Sequence, residues 1–160
     1  MKRIVAVIMS LLISQTAFSK DAISNCRNYY YGVCLSEVSI KDFDSYLQLH
    51  KGSENESIKG YQSVIWFLWA DYYINPIKKW KCFTIGIEKL DQLIESHKDN
   101  AELRFLRLTI QENTPKFLGY NENIKEDKQF IYNQLSEIVD KDLYQRIVSY
   151  LCYNGMAKIK

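Results

Sequence analysis

The chain has 160 residues, with 21 Lys+Arg against 19 Asp+Glu and a formal charge of +2. Hydrophobic residues at 47% and charged residues at 25% match globular averages, which excludes a disordered chain, and the length predicts one domain. Six Gly and two Pro are too few for a many-turned β architecture, and a surplus of two charges leaves no basic footprint for nucleic acid.

The first nineteen residues have the three-part pattern of a secretory signal peptide. Lys2 and Arg3 form a positive start, Ile4 to Ile13 is apolar apart from Ser10, and Ala17-Phe18-Ser19 places small residues before a cut at Lys20. An anchor would need about 20 apolar residues to cross the hydrocarbon core, and this run is about half that. The expectation is export to the periplasm or beyond, leaving residues 20–160 as a single helical domain with no membrane span. Val64 to Ala70 is the most apolar later stretch, and it ends at Asp71. Cleavage removes two cations and no acid, so the mature balance is 19 against 19 and attraction to nucleic acid or anionic lipid loses its support.

The mature chain reads as helices joined by short polar loops. A helical period from about Ile23 to Leu35 carries Tyr29, Tyr30, Val33 and Cys34. A second helix, Ile40 to Leu49, places Phe43, Tyr46 and Leu47 on one face, and residues 51–57 are the most polar loop. Tyr61, Val64, Ile65, Leu68 and Tyr72 then recur at helical spacing while Trp66, Phe67, Trp69 and Tyr73 fill the other faces. A helix apolar all round is buried on several sides, so this is the expected central helix. It stops at Asn75-Pro76, which suits the N-cap and first turn of the next helix. There Ile77, Trp80, Phe83, Ile87, Leu90 and Ile94 form a stripe reaching Ser96. Asp99 or Asn100 caps a helix with Leu103, Leu106 and Ile110 that ends before Pro115. After a break at Gly119-Tyr120-Asn121, a helix from about Asn123 to Ile138 follows. Asp140 caps the last one, with Leu143, Ile147, Tyr150 and Leu151, which Gly155 is expected to end. No useful segment alternates with period two, so the class is all-α, with about seven helices in antiparallel hairpins.

Trp66, Ala70 and Tyr73, followed by Gly86, Leu90 and Leu93, resemble the paired-helix spacing of a tetratricopeptide unit over Trp66 to Glu102. The match takes about four extra residues around Asn75-Pro76, and Lys98 stands where that motif usually has proline. The longer run Asn75-Pro76, Lys79, Phe83 and Gly86 through Asn100 to Gln111, then Pro115 to Tyr120, Ile124 and Asp127-Lys128, resembles a family of small exported bacterial proteins. That family is expected to have a tetratricopeptide-like helical fold and carries no established activity. The resemblance covers about residues 60–135. It implies an array of helix hairpins and supplies no catalytic residue.

Among residues that could carry chemistry, four cysteines allow three disulfide pairings in an exported chain. Cys26 and Cys34 on one helix would stand roughly 12 Å apart, beyond the roughly 7 Å Cα limit of a bridge. Free, packed thiols are the leading reading, and a bridge from Cys152 to Cys26 or Cys34 is the alternative. No short C-x-x-C spacing suggests zinc. His50 and His97 fall at helix ends, where surface or cap roles suffice. Glu88, Asp91, Glu95, Glu102, Glu112, Glu122, Glu126 and Asp127 read as solvated faces rather than a facing catalytic pair. Arg104 and Arg107 could grip a carboxylate or phosphate, but pairing with Glu122, Glu126 and Asp127 of a neighbouring helix is favoured. The consecutive Tyr29, Tyr30 and Tyr31 must send at least one ring outward, and with Trp66, Trp69, Tyr72 and Tyr73 they offer anchors for a partner.

The expected function is therefore non-catalytic: protein–protein interaction or scaffolding in the bacterial envelope, without cofactor or metal. Tyr30, Trp66, Tyr73, Arg104, Arg107 and Tyr120 are the candidate contacts. A small-ligand binder or periplasmic enzyme using a concave face with Arg104, Arg107 and Tyr120 is one alternative. An immunity or inhibitor protein against a secreted toxin is another.

Overall fold

The computed structural model describes residues 21–157, with side chains placed for 21–153; the signal peptide expected at 1–19 lies outside the described residues. Among the described residues there are seven α-helices, two 3-10 turns and no strand, so the class is all-α. The helices are α1 (21–34), α2 (Ile40–Leu49), α3 (Glu56–Tyr72), α4 (Pro76–Ser96), α5 (Ala101–Asn113), α6 (Ile124–Gln134) and α7 (Lys141–Ala157). No described helix is long and apolar enough to cross a membrane.

Helix starts follow the capping chemistry visible in the sequence. Ser39, Asn55, Asn75 and Asn100 each accept a hydrogen bond from a backbone amide of the first turn through the side-chain oxygen. Asp140 does the same for Asp142 and Leu143. Each such cap stabilises by about 1 kcal/mol. Gly119, at φ 73°, closes the 3-10 turn Lys116–Leu118 in a left-handed conformation that a side chain disfavours.

Two hydrophobic cores lie on opposite sides of α5. The larger gathers Cys26 and Tyr30 of α1, Phe43 and Leu47 of α2, Val64 and Phe67 of α3, Phe83 and Leu90 of α4, and Leu103 and Leu106 of α5. The smaller joins Phe105 and Leu108 of α5 to Ile131 of α6 and Leu143 and Ile147 of α7. α3 is central as expected, but α5 is equally enclosed, buried at every position from Glu102 to Thr109 and again at Gln111. A helix with apolar neighbours on all sides must satisfy its polar residues from within the protein. That requirement shapes the site described below.

Two close approaches set the packing of α3. Gly86 faces the Phe67 ring so closely that a Cβ there would sit 2.8 Å from the nearest ring carbon, and Gly60 meets Leu103 and Leu106 across the α3–α5 contact. Phe67 is in turn held by Phe83 at 5.6 Å and stacked on Tyr120 at 5.9 Å between ring centres.

Three sequence expectations need correction. Ile77 and Trp80 belong to no core: they are exposed, whereas Phe83, Gly86, Leu90 and Ile94 of the same helix are buried. The cause is length. α4 has 21 residues and α5 only 13, and the Arg107–Asp91 contact fixes their register. In that antiparallel register Asn113 is level with about Ile85, so the first turns of α4 run past the end of α5. The helix read as 123–138 tightens into a 3-10 turn at Leu135–Glu137. Gly155 does not end α7, which continues to Ala157. The three consecutive tyrosines divide as a helix requires: Tyr30 is buried, while Tyr29 and Tyr31 are half-buried. Tyr29 stacks on Phe43 and Tyr46 of α2, Tyr30 meets Tyr61 of α3, and Tyr31 lies under Arg146 of α7.

Candidate functional site

Buried charge gathers in two clusters on different sides of α5, one at Glu102 and one at Arg104 and Arg107. At the first turn of α5, Arg27 of α1 donates to Glu102 through Nε at 2.7 Å and a terminal nitrogen at 2.9 Å, with both residues almost wholly buried. The other terminal nitrogen of Arg27 reaches Asp140 at 2.9 Å and Asp142 at 3.0 Å, and the Tyr61 hydroxyl donates to Glu102 at 2.9 Å. One guanidinium thus ties α1 to α5 and to the start of α7. Burial opposes the charge on Arg27, yet its bonds to Glu102 win and hold it more firmly protonated than usual. Burial and the Glu102 charge push the neighbouring Cys26 thiol up to about 12, so it stays protonated.

Further along α5 the second cluster centres on Asp127 of α6, which is completely buried. Asp127 accepts from Arg107 at 2.7 and 2.8 Å and from Arg104 at 3.0 Å. Arg104 also bonds Glu126 at 2.8 Å and the Lys98 carbonyl at 2.8 Å, and its guanidinium lies over the Phe130 ring. Its hydrogen bond holds the Glu126 carboxyl below the usual range. Arg107 extends to Asp91 of α4 at 3.3 Å, and Asp91 also accepts from the Tyr120 hydroxyl at 2.9 Å. Burial, and then the Asp91 charge, raise the Tyr120 phenol well above its ordinary range.

These contacts correct the reading of the acids. Glu102 and Asp127 are interior ion-pair partners rather than members of solvated faces. The pairing of Arg104 and Arg107 with Glu126 and Asp127 is present, and it leaves both arginines buried. Tyr120 is also buried, and Tyr30 is enclosed with its hydroxyl 3.2 Å from that of Thr109. Four of the six candidate contacts therefore lie inside the protein. His50 and His97 stand at the C-terminal caps of α2 and α4, and His97 Nδ1 is 3.0 Å from Glu56. All four cysteines are free, with Cys26 and Cys82 buried and Cys34 and Cys152 exposed. Among the described residues no three His, Cys, Asp or Glu side chains converge as a metal site.

The remaining two candidates, Trp66 and Tyr73, are partly exposed on α3. They share a face with Trp69, spaced one turn apart. Trp69 stacks on Tyr73 at 5.6 Å and meets Tyr72 edge-on at 5.3 Å, while its indole N–H donates to Asp44 of α2 at 3.0 Å. The result is an aromatic ladder of fixed orientation with Tyr72 at its exposed edge. Ile74, Ile77 and Trp80 extend the apolar surface around the end of the hairpin, and no sequence pattern marked them as outward.

One open cleft of about 300 Å3 lies between α1 and α7, lined by Tyr31, Asp142, Arg146, Ser149, Tyr150 and Tyr153 among others. Arg146 is pinned there by Asp142 at 2.9 Å and Asn28 at 2.7 Å, with its guanidinium over the Tyr31 ring. The Tyr31 hydroxyl is buried and makes no hydrogen bond within the described residues.

No protein-family model, curated protein or solved structure matches the chain.

Proposed function

We propose that the chain is a non-catalytic, exported binding protein that acts through protein–protein contact in the bacterial envelope. The observation that carries this reading is the aromatic ladder Trp66, Trp69, Tyr72 and Tyr73. Trp and Tyr are the preferred anchors of interfaces, because they bring large contact area with few rotatable bonds. Here Trp69, Tyr72 and Tyr73 are already ordered by their ring contacts and by the Trp69–Asp44 hydrogen bond. The charged groups that might instead serve a reaction are tied to one another inside the protein. The hairpin of α3 and α4, with Ala70 buried and Gly86 against Phe67, is compatible with a tetratricopeptide-like unit, and such units present helix faces to partners. Affinity capture of the exported protein tests the proposal by comparing wild type with Tyr72→Ala. A partner recovered by the wild type and lost with the variant is expected. Repeated recovery of no partner, or equal recovery by both, would refute it.

A second reading, small-ligand binding, is favoured by the α1–α7 cleft, which Tyr31, Arg146 and Ser149 line together. Its signature would be saturable thermal stabilisation by a small aromatic compound that disappears in Arg146→Ala.

A further inference from the structure

We propose that the free end of the α3–α4 hairpin is a peripheral docking site for an anionic phospholipid bilayer. The surface adjoins the aromatic ladder, but the side chains that carry the inference are Ile74, Ile77 and Trp80 with their lysines, which the protein-interaction reading does not use. Ile74 is 96% exposed, Ile77 78% and Trp80 59%, and all three lie within one turn and the first two turns of α4. Large apolar side chains in that state gain by leaving water. They are interleaved with Lys78, Lys79 and Lys81, which are all exposed. Lys78 already bends over the Tyr73 ring, 5.4 Å from its centre.

Charge decides the occupant. The whole mature chain is neutral, but its charge is not evenly spread: no acid occurs between Asp71 and Glu88, and the three lysines fall inside that gap. With Lys78, Lys79 and Lys81 against the exposed Asp71, the end of the hairpin carries a local surplus of positive charge around an apolar centre. On the first turns of a helix, Ile77 and Trp80 are three residues apart and point the same way, with Lys81 and Lys78 to one side and Lys79 behind. Lysine stems can lie along apolar surface while their ammonium groups reach outward to phosphates, and Trp is at home at the depth of lipid headgroups. The surface is also a projecting end: the α3–α4 hairpin runs past the end of α5 here. A projecting apolar tip ringed by cations needs no shape complementarity from a bilayer, whereas a protein partner would have to supply an acidic cup of matching form. Because no described helix can cross the membrane, the contact is peripheral and reversible.

The test is sedimentation of the purified chain with vesicles of phosphatidylcholine alone, or with about one-third phosphatidylglycerol. Wild type and variants are compared in the same form, so residues 1–20 contribute equally. Binding to the anionic vesicles is expected, weakening steeply as salt is raised to about 0.5 M. Neutralising Lys78, Lys79 and Lys81 to Gln should weaken it by about fivefold per lysine, roughly a hundredfold together. Ile77→Ser with Trp80→Ser should weaken it by about tenfold or more. All five positions are exposed, so the variants should keep the wild-type circular dichroism. No binding of the wild type to anionic vesicles would overturn the proposal. So would unchanged binding by both sets of variants, or capture of the tip by an acidic protein when vesicles fail to compete.

Discussion

Replacing Asp127 by Ala removes the acceptor at the centre of the α5–α6 contact. Three charge-assisted hydrogen bonds vanish, two from Arg107 at 2.7 and 2.8 Å and one from Arg104 at 3.0 Å. Breaking a buried pair typically costs about 3–5 kcal/mol, because the surviving charge stays out of water without a partner. Here the damage is partly relieved, since Arg107 keeps Asp91 at 3.3 Å and Arg104 keeps Glu126 at 2.8 Å. The expected loss is therefore near the lower limit, about 3 kcal/mol, a large share of the roughly 5–15 kcal/mol that holds a domain together. For a domain of this size that is a fall of about 10 °C in Tm. Thermal melts followed by circular dichroism, together with urea titration at unchanged m-value, measure it. Glu126→Ala provides the contrast, because its carboxylate is exposed and its pair should be worth under about 1 kcal/mol. A loss below about 1 kcal/mol for Asp127→Ala would refute the view that this carboxylate organises the buried cluster.

Gly86→Ala should destabilise by about 1 kcal/mol despite the better helix propensity of Ala, because its Cβ would press on a Phe67 ring held by Phe83 and Tyr120; a stabilised variant would show that the ring can move aside. Thiol labelling at pH 8 should mark Cys34 and Cys152 in the native protein and add Cys26 and Cys82 only on unfolding, since burial and Glu102 hold the Cys26 thiol near 12. Fewer than four labelled thiols in denaturant would reveal a disulfide. Stability should fall with acid. Burial works against ionisation of Asp140, but the Leu143 amide and the Arg27 guanidinium outweigh it and place its folded pKa below the ordinary 3.8. Its contribution is complete above that ordinary value and is lost as pH falls through the folded one. Asp140→Asn, which keeps a capping oxygen without the charge, should be less stable than wild type at pH 6 and should converge with it as the pH falls through the lowered folded pKa of Asp140. A constant difference across that range would contradict the assignment.

What the sequence revealed follows the range of each signal. Capping is local, so Asn75, Asn100 and Asp140 could be placed at helix starts from their neighbours alone. The period of α3 likewise identified a helix buried on several sides. The errors arose where a distant element decides. Glu102 reads as a solvated acid until Arg27, 75 residues earlier in the chain, is brought against it. Phe105 and Leu108 fall off the stripe formed by Leu103, Leu106 and Ile110, and only the arrival of α6 and α7 gives them a core. Tyr31 is half-covered because α7 returns from the far end of the chain to lie against it, which no pattern within α1 announces. Ile77 and Trp80 share the period of the buried stripe, and periodicity carries no information about where the neighbouring helix stops.

The same reasoning explains the state of the candidate contacts. Arg104 and Arg107 were placed correctly opposite Glu126 and Asp127 because three- and four-residue spacings bring such pairs into reach across a short hairpin. Their burial was not legible, since it follows from α5 being enclosed by two cores. The exposed aromatic edge at Tyr72 was visible only as an excess of aromatic residues, and its fixed geometry depends on Asp44 of α2.

The central claim is that the aromatic ladder of α3 receives a protein partner. Its most direct measurement is site-specific photo-crosslinking in cells that produce the chain, with a benzophenone side chain placed at position 72 and, as a control, at the exposed position 88 of α4. A discrete, light-dependent adduct with one protein from position 72, absent from position 88, is the predicted result. No adduct from position 72, or the same adducts from both positions, would contradict the claim.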